Sequence, residues 1–570
     1  MNLKTNLPDI WGEGALLGFS GIDGQTDTYS GFVATLLKEC GLLIHTPCRR
    51  RLIFSDTGTI CPEFILSDAF SLRCPRGKIT TVFVDCHHIV GTFPYGVNLK
   101  IESEGQSVIK HGNTTITHDE KQNDWVVLEI CDCQEGKKFC LSYAKTEKQA
   151  VDRAQEFLKT DLKATLNNRL RIYERVPSLP NKRQHKLLLK CLNVMRVNTL
   201  SPEGVFKKHW STPDRVPHRM MWLWDSVFNA LGLKFFYPEI AWELIASVLE
   251  QQKKDGMIAH LMYPDGQTSQ ITQPPVLAWG CWQIYQTLKD KNILRYSLPR
   301  LEKYLTWDLT HRDNNKNGLL EWHLVANKMC RCGESGLDNS PRFDLGTLLD
   351  AVDFSVFASQ DMKCLSLIAE ELGNKERASF WLKKSQALAE KILDYFWDET
   401  TGFFYDKDLL GNFVRLKSCT GFLPLLLEVV PQAKIERLAA CLENPEEFGT
   451  AFPVPTVAAN EPSWSRDMWR GPTWINIDYL IICGLRKHGQ EKLAERLANI
   501  LIEKVLKYYE KSGVIFEFYD SADKVAPEDL DRKGKRVKPY DIRVKVDAIR
   551  DYNWSASLTA ALLLESGHLA

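Results

Sequence analysis

The residues best suited to chemistry gather in one stretch, Glu334-Ser335-Gly336-Leu337-Asp338-Asn339-Ser340-Pro341-Arg342-Phe343-Asp344. It brings together three carboxylates, an amide, two hydroxyls and a guanidinium. Gly336 and Pro341 break any regular helix there, so the stretch reads as a polar loop between apolar helical segments, a common place for a site. A solvated surface turn has the same composition, so this loop alone decides nothing. Three further groups share its character: Met221-Trp222-Leu223-Trp224-Asp225-Ser226; His260 with Gln273-Pro274-Pro275; and Trp464-Ser465-Arg466-Asp467-Met468-Trp469-Arg470-Gly471-Pro472-Thr473-Trp474, followed by Phe516-Glu517-Phe518-Tyr519-Asp520. None is needed for helix packing. Together they are rich in Trp, carboxylate and amide and poor in Lys, as a carbohydrate site is. Aromatic faces stack on sugar rings, bidentate groups bind hydroxyls and carboxylates catalyse.

Cleaving a glycosidic bond takes two carboxyl groups. One protonates the leaving oxygen; the other activates water or attacks as a nucleophile. Their environments must push the two pKa values apart. Asp338 and Glu517 lie far apart in the chain, so only a fold can pair them. Glu334, Asp344, Asp467 and Asp520 are rivals for either role, Glu334 foremost because it shares the loop with Asp338.

The elements that must position these groups fall into two kinds. At 570 residues the chain exceeds what one hydrophobic core usually serves. Composition is that of a globular protein, 44% hydrophobic and 25% charged. The zero formal net charge gives no electrostatic case for nucleic acid or an anionic membrane. Residues 1–165 alternate as half-buried strands do, as in Tyr95–Glu102, with Thr80–Val84, Trp125–Ile130 and Phe139–Tyr143 as further strands. This pattern predicts an antiparallel β-sandwich. His87 and His88 are adjacent on a strand and point to opposite faces, which suits packing rather than metal binding. A helical stretch at Glu147–Tyr173 leads to a turn at Val176–Asn181, so residues 166–182 read as a linker.

From residue 183 to 570 helical periods dominate. Trp381, Leu388, Ile392 and Tyr395 share one helical face, and Pro238 suits the first turn of a helix running to about Gln252. Helices come in pairs: Asp361–Leu372 with Lys375–Trp397, Trp474–Lys487 with Glu491–Tyr509, and Trp279–Leu288 with Leu298–Leu309. Repeated helix–turn–helix units point to a closed toroid or an open solenoid. The long Trp-rich loops favour a toroid with a functional end.

The segments Trp222-Leu223-Trp224-Asp225-Ser226, Glu334 to Arg342, Trp469 to Trp474, Phe516 to Asp520 and Asn553-Trp554-Ser555 resemble glycoside hydrolase family 63 in content and order, over about residues 205–560. That family includes processing α-glucosidases and bacterial enzymes acting on α-glucosides, mannosylglycerate and glucosylglycerate. The resemblance implies an (α/α)6 barrel over 183–570, behind the sandwich in a multidomain α+β protein, and an inverting hydrolytic mechanism. Asp338 would be the general acid and Glu517 the general base, about 6.5–9.5 Å apart. Trp222, Trp224, Asp225, His260, Gln273, Glu334, Arg470, Gly471 and Trp474 would bind the sugar. The Pro527–Val546 segment, with Asp529, Asp531, Arg532, Lys533, Lys535, Arg536 and Lys538, is longer and more charged than the short turn the family often has after its base; a flap over the pocket and a solvated loop are both consistent with it. A charged aglycone such as glycerate would need a basic group, for which Arg342, Arg331 and that segment are candidates.

Other readings stand beside this one. A phosphorylase on the same barrel would need a cluster of His, Ser and Arg or Lys near the base, and the Glu517 segment is apolar and aromatic. The Gly-rich and Gln-Trp-Asp segments of trehalases are missing. A catalytically inactive glycan-binding protein would not need both carboxylates. No organic cofactor is implied, and the partner is a small carbohydrate rather than nucleic acid or membrane. Asp313-Asn314-Asn315-Lys316-Asn317-Gly318 matches the start of a calcium loop, with Asp313, Asn315 and Asn317 at alternate positions. Its twelfth position is Leu324 rather than Glu, leaving Glu321 as a substitute; a plain Asx-rich turn fits too. Cys330-Arg331-Cys332 and Cys131-Asp132-Cys133 lack zinc-knuckle spacing. With no signal-peptide pattern in Met1–Ser20, the 16 Cys read as reduced thiols of a cytoplasmic protein.

Overall fold

A computed structural model describes residues 7, 17–18, 22, 33–36, 39–44, 48–104, 108–215, 218–535 and 547–565. Most of Met1–Ser20, and the part of the charged segment that holds Arg536 and Lys538, lie outside the described residues. The chain divides into two compact units. One runs through Glu203 and takes in Leu506–Ile515; the other comprises Gly204–Val505 and the described residues from Phe516 onward.

The first unit holds two antiparallel sheets. The smaller joins β1 (Val33–Leu36), β2 (Gly41–Ile44), β3 (Arg50–Ser55) and β8 (Asn98–Ser103). The larger runs β4 (Cys61–Ile65), β5 (Ala69–Cys74), β6 (Gly77–Asp85), β7 (His88–Phe93), β12 (Gly136–Ala144), β11 (Asp124–Cys133), β10 (Thr114–Asp119) and β9 (Val108–His111). Alternation in the sequence makes this sandwich, because each inward residue of one sheet meets the other. Phe54 of β3 packs edge-on against Phe93 and Phe139, with ring centroids 6.0 and 5.8 Å away. Arg50 is buried between the sheets, where it donates to Thr117 and pairs with Asp124. His87 stacks on Tyr143, and His88 packs on Phe157 while bonding Asp85.

The expected helical stretch is two helices, α1 (Glu147–Phe157) and α2 (Leu162–Glu174), each N-capped by the side chain before it, Thr146 and Asp161. The helix α3 (Lys182–Val197) groups with the sandwich although the sequence reading placed it in the helical domain from residue 183. Its buried polar residues explain this. Asn193 accepts from the Ser67 amide at 2.7 Å, and Arg196 pairs with Asp68 at 3.0 Å.

The second unit is built of helix pairs. They are α4 (Leu223–Leu233) with α5 (Pro238–Glu250), α6 (Leu277–Leu288) with α7 (Lys291–His311), and α8 (Val352–Glu371) with α9 (Lys375–Tyr395). A 3₁₀ run at Cys419–Leu426, α10 (Gln432–Glu443), α11 (Ile475–Lys487), α12 (Glu491–Ser512, which crosses into the first unit) and α13 (Asn553–Glu565) complete it. Every residue of α4 is buried, and so is α13 up to Leu564. Helices apolar all round belong inside a structure, whereas one-sided α9 buries only a stripe that includes Trp381, Leu388 and Ile392. The inner elements touch in a cycle: α4 with α6, α6 with α8, α8 with the 3₁₀ run, that run with α11, α11 with α13, and α13 with α4. The last contact is close because Gly232 has no side chain. Its amide donates to Ser557 Oγ at 2.9 Å, and a Cβ there would lie 2.1 Å from the Ser557 carbonyl oxygen. No helix among the described residues is long and apolar enough to cross a membrane. All 16 cysteines are free thiols.

Candidate active site

One small cavity of about 70 Å³ collects residues from the starts of α4, α11 and α13 and from the loops before α6 and α8. Asp338 and Glu517 both line it, with Trp222, Trp224, Trp469, Trp474 and Trp554 as walls. Asp225, Gln273, His218, Tyr552, Arg532 and Lys533 complete the polar lining.

The walls are a continuous aromatic framework. Trp469 and Trp474 stack at 3.7 Å with their planes 7° apart, and Trp474 meets Trp554 at 5.7 Å. Trp554 stands edge-on to Trp224 at 5.5 Å. Gly336 lets the Asp338 loop sit against this framework. It adopts φ +75°, and a Cβ there would lie 2.2 Å from the Trp224 ring.

A buried ion pair and a buried ion triad suspend that loop. Glu334 accepts from Arg312 on both oxygens, and from the Thr272 and His323 amides. Arg342 donates to Asp353 and Asp406 at 2.7–2.9 Å. Between these anchors the Asn339 side chain accepts from the Trp469 amide at 3.0 Å, tying the loop to the Trp469–Trp474 segment. Asp338 is thus presented from a braced strut.

The cavity's electrostatics are set by two cations. Arg532 grips Glu517 bidentately, Nε and Nη2 each 2.9 Å from an oxygen, and the Ile549 amide adds a 3.3 Å bond. Lys533 pairs with Asp338, and its ammonium lies 3.4 Å from Cys330 Sγ. Burial alone would raise the Asp338 pKa; the Lys533 ammonium, helped by Arg532 and Cys330, outweighs it and holds the carboxyl below its usual range. Asp225 is opposite in behaviour. Burial, reinforced by Asp214, Glu517 and Asp338, holds it well above the usual carboxylate range. Its Oδ1 is buried without a partner, as are the indole N–H groups of Trp222, Trp469 and Trp554. Buried polar groups are normally bonded, so these orphaned donors and this acceptor suit a ligand dense in hydroxyls.

A family model described as mannosylglycerate hydrolase MGH1-like glycoside hydrolase domain matches residues 217–555, more than half of the chain. The chain belongs to glycoside hydrolase family 63. An uncharacterized protein of Borreliella burgdorferi is 28% identical over 251 residues, 43% of this chain and half of that protein's length. The mannosylglycerate hydrolase of Thermus thermophilus is 26% identical over 419 residues, 58% of this chain and 94% of that protein. A solved structure of a family 63 mannosylglycerate hydrolase from Thermus thermophilus, in complex with glucose, is similar in fold, with a TM-score of 0.53 at 24% identity over 66% of this chain and 99% of that one.

Of the residues expected to form a family 63 site, Asp338, Glu517, Trp222, Trp224, Asp225, Gln273 and Trp474 line the cavity. Gln273 also fixes the start of α4, accepting from the Trp224 amide at 3.1 Å. Four others stand behind the lining. His260 packs edge-on against Trp222 and bonds Ser269, and burial pushes its imidazole down to about 4. Glu334 has all its capacity spent on Arg312 and two amides. Arg470 is occupied bidentately by Asp344. At Gly471 a Cβ would lie 2.4 Å from the Ser465 carbonyl oxygen, so it serves close backbone packing. The rival carboxylates are likewise engaged: Asp467 accepts the Lys533 and Gly534 amides, and Asp520 holds a turn through Lys524 and Val525. Arg342, considered for an acidic aglycone, is fully committed to Asp353 and Asp406, and Arg331 does not line the cavity.

The charged segment reads in sequence both as a flap over the pocket and as a solvated loop, and as a source of a basic group for an acidic aglycone. Its Arg532 and Lys533 line the cavity, and nothing in the composition of the run singles those two out from its other cations. Their proximity to Glu517 in the chain was the available signal. At the Asx-rich turn, the Asn315 and Asn317 amides donate to Asp350, and their side-chain oxygens accept backbone amides. Asp313 Oδ1 and Glu321 Oε1 are buried without a protein partner, which water or a cation would satisfy. No group of three or more His, Cys, Asp or Glu able to hold a metal occurs among the described residues.

Proposed function

We propose that the protein is an inverting α-glycosidase that hydrolyses a small α-linked glycoside, with Asp338 as general acid and Glu517 as general base, on an (α/α)6 barrel. The observation that carries the reading is that these two carboxylates, from distant parts of the chain, line one Trp-walled cavity. The barrel is supported by the cycle of six inner elements, each but the last followed by an outer helix.

In this reading water attacks the anomeric carbon while Glu517 takes its proton and Asp338 protonates the leaving oxygen. A carboxylate offers about four lone-pair sites. Arg532 and Ile549 occupy one on Glu517 Oε1 and two on Oε2, so Oε1 retains one for the attacking water. Asp225 and the indole N–H groups would bind sugar hydroxyls. Relatives named for mannosylglycerate, together with two cations in the cavity, favour a glycoside of a small hydroxy acid such as glycerate. A cytoplasmic compartment belongs to the same reading, supported by the free thiols.

The test is to incubate purified protein with α-linked disaccharides, α-glucosylglycerate and α-mannosylglycerate, and to follow the product anomer by NMR. Initial release of the β-anomer is expected, and initial α-anomer would refute inversion. Asp338→Asn should lower kcat by about 10²–10⁴-fold, the usual contribution of general acid catalysis, while sugar binding persists. No turnover of any substrate by the wild type would favour a glycan-binding role.

A further inference from the structure

Both cations on the catalytic carboxylates are consecutive residues of one short strap, and the strap is fastened from behind. The Lys533 and Gly534 amides donate to the two Asp467 oxygens at 2.7 and 3.0 Å. Asp531 is paired on both sides, its amide to the Arg466 carbonyl at 3.1 Å and its carbonyl to the Met468 amide at 3.2 Å. Lys533 itself adopts φ +54°, unusual for a residue with a side chain. The backbone is therefore fixed in a conformation that sends successive side chains to different carboxylates. The two cations differ in freedom. The Arg532 side chain is 3% exposed and makes two hydrogen bonds to Glu517, whereas that of Lys533 is 25% exposed on a flexible stem.

The Lys533 ammonium stands where a leaving group would have to stand. The oxygen to be protonated must approach Asp338 within hydrogen-bonding distance, and the remaining cavity of about 70 Å³ has room for only a few waters. We propose that Lys533 is an exchangeable counter-ion: substrate displaces its ammonium from Asp338 onto an anionic group carried by the leaving half, and this exchange frees Asp338 to act as the acid. The inference rests on the glycosidase reading and adds to it the residue that couples acid function to aglycone charge. The exchange replaces one ion pair with another, and Asp338, left without its counter-ion, then takes up a proton from solvent water, which it passes to the leaving oxygen. A neutral aglycone provides no replacement, so it must leave a half-buried ammonium without a partner, which is costly.

The charged and titratable groups around this pair are Asp225, Glu517, Arg532, Cys330, His260, His218, Tyr552 and Asp467, and none of them can substitute for the anion. Asp467 is held by the Lys533 and Gly534 amides, His218 is paired with Asp214, and burial keeps the Tyr552 phenol neutral. Glu517 is held by Arg532, Asp225 and Cys330 are shifted toward their neutral forms, mainly by burial, and His260 is a half-buried imidazole bonded to Ser269. With Lys533 in place Asp338 is held below its usual range; once the ammonium leaves, the burial that opposes ionisation is offset only by Arg532 and Cys330, and the pKa rises. The acid must be protonated to work, so its contribution falls as pH rises through its pKa. Removing the ammonium raises that pKa and moves the fall to higher pH.

Two measurements on the full chain test this. The first is kcat/KM against pH for α-glucosylglycerate and for its neutral counterpart α-glucosylglycerol. The wild type should prefer the carboxylate substrate. In Lys533→Met that preference should shrink by on the order of tenfold, the weight of one charge-assisted hydrogen bond, the descending limb for the neutral substrate should move to higher pH, and Lys533→Arg should restore the preference. Equal loss on both substrates with an unmoved limb, or no change at all, would overturn the proposal. The second needs no turnover: D-glycerate and glycerol are titrated against the protein by tryptophan fluorescence. Glycerate should bind the wild type and not Lys533→Met, and glycerol should bind neither. Failure of glycerate to bind overturns the exchange. Lys533-dependent glycerate binding in a protein that cleaves no glycoside would uphold the exchange and sink the glycosidase reading instead.

Discussion

Single residues carry the site's demands in unequal ways. Gly336 is the most constrained of them, because both its backbone conformation and the Trp224 ring exclude a side chain. Gly336→Ala should cost on the order of 1–2 kcal/mol from the left-handed conformation alone. It should also displace Asp338 from the framework and lower kcat/KM by about 100-fold, the scale of an ångström-level misplacement. Thermal unfolding and steady-state kinetics together check this; a fully stable and fully active variant would remove the packing argument. The carboxylates show how environment separates identical groups. Asp225 is kept toward its neutral form mainly by burial, whereas Asp338, with a cation beside it, is kept toward its charged one.

At the scale of elements, the Asp338 loop is held by its anchors rather than by its own regularity. Arg342 is buried with Asp353 and Asp406, and Asp406 also accepts the Val352 amide at the start of α8. Replacing Arg342 with Met would leave two buried carboxylates uncompensated, a loss of about 3–5 kcal/mol. A lowered thermal midpoint with parallel loss of activity is expected, and an unchanged midpoint would show the triad to be dispensable. The sequence disclosed the loop but not its suspension. Arg312, Asp353 and Asp406 come from separate segments, and no spacing pattern connects them with Glu334 or Arg342. The strands at β6, β11 and β12 and the helix pairs were legible because period-2 and period-3.6 patterns are local. Trp222, Trp224 and Trp474 were legible because they cluster in short polar segments. Lys533 was legible only as one of several basic candidates in the charged segment, because a lysine that pairs with a distant aspartate looks like any lysine in such a run.

At the scale of the whole molecule, two units are built on different principles, one from sheets whose faces alternate and one from helices buried on all sides. The sandwich claims α3 through Asp68 and Ser67, so polar bonds as well as hydrophobic burial decide where the first unit ends. Membership in glycoside hydrolase family 63 attaches to residues 217–555, which lie within the helical part of the chain. The thiols are spread across both units and most are interior. Cys140 in the sandwich is pushed up to about 12 by burial, and Cys364 in α8 is held well above its usual range for the same reason. A thiol so protected reacts with an alkylating reagent only when the structure around it opens. The protein therefore contains its own set of clocks. Under pulsed iodoacetamide in increasing urea, exposed Cys61 should label at once, and Cys140 and Cys364 should each report the opening of their own unit. Separate transitions for these two would mean that the units unfold independently; one shared transition would mean that they unfold as a single cooperative body.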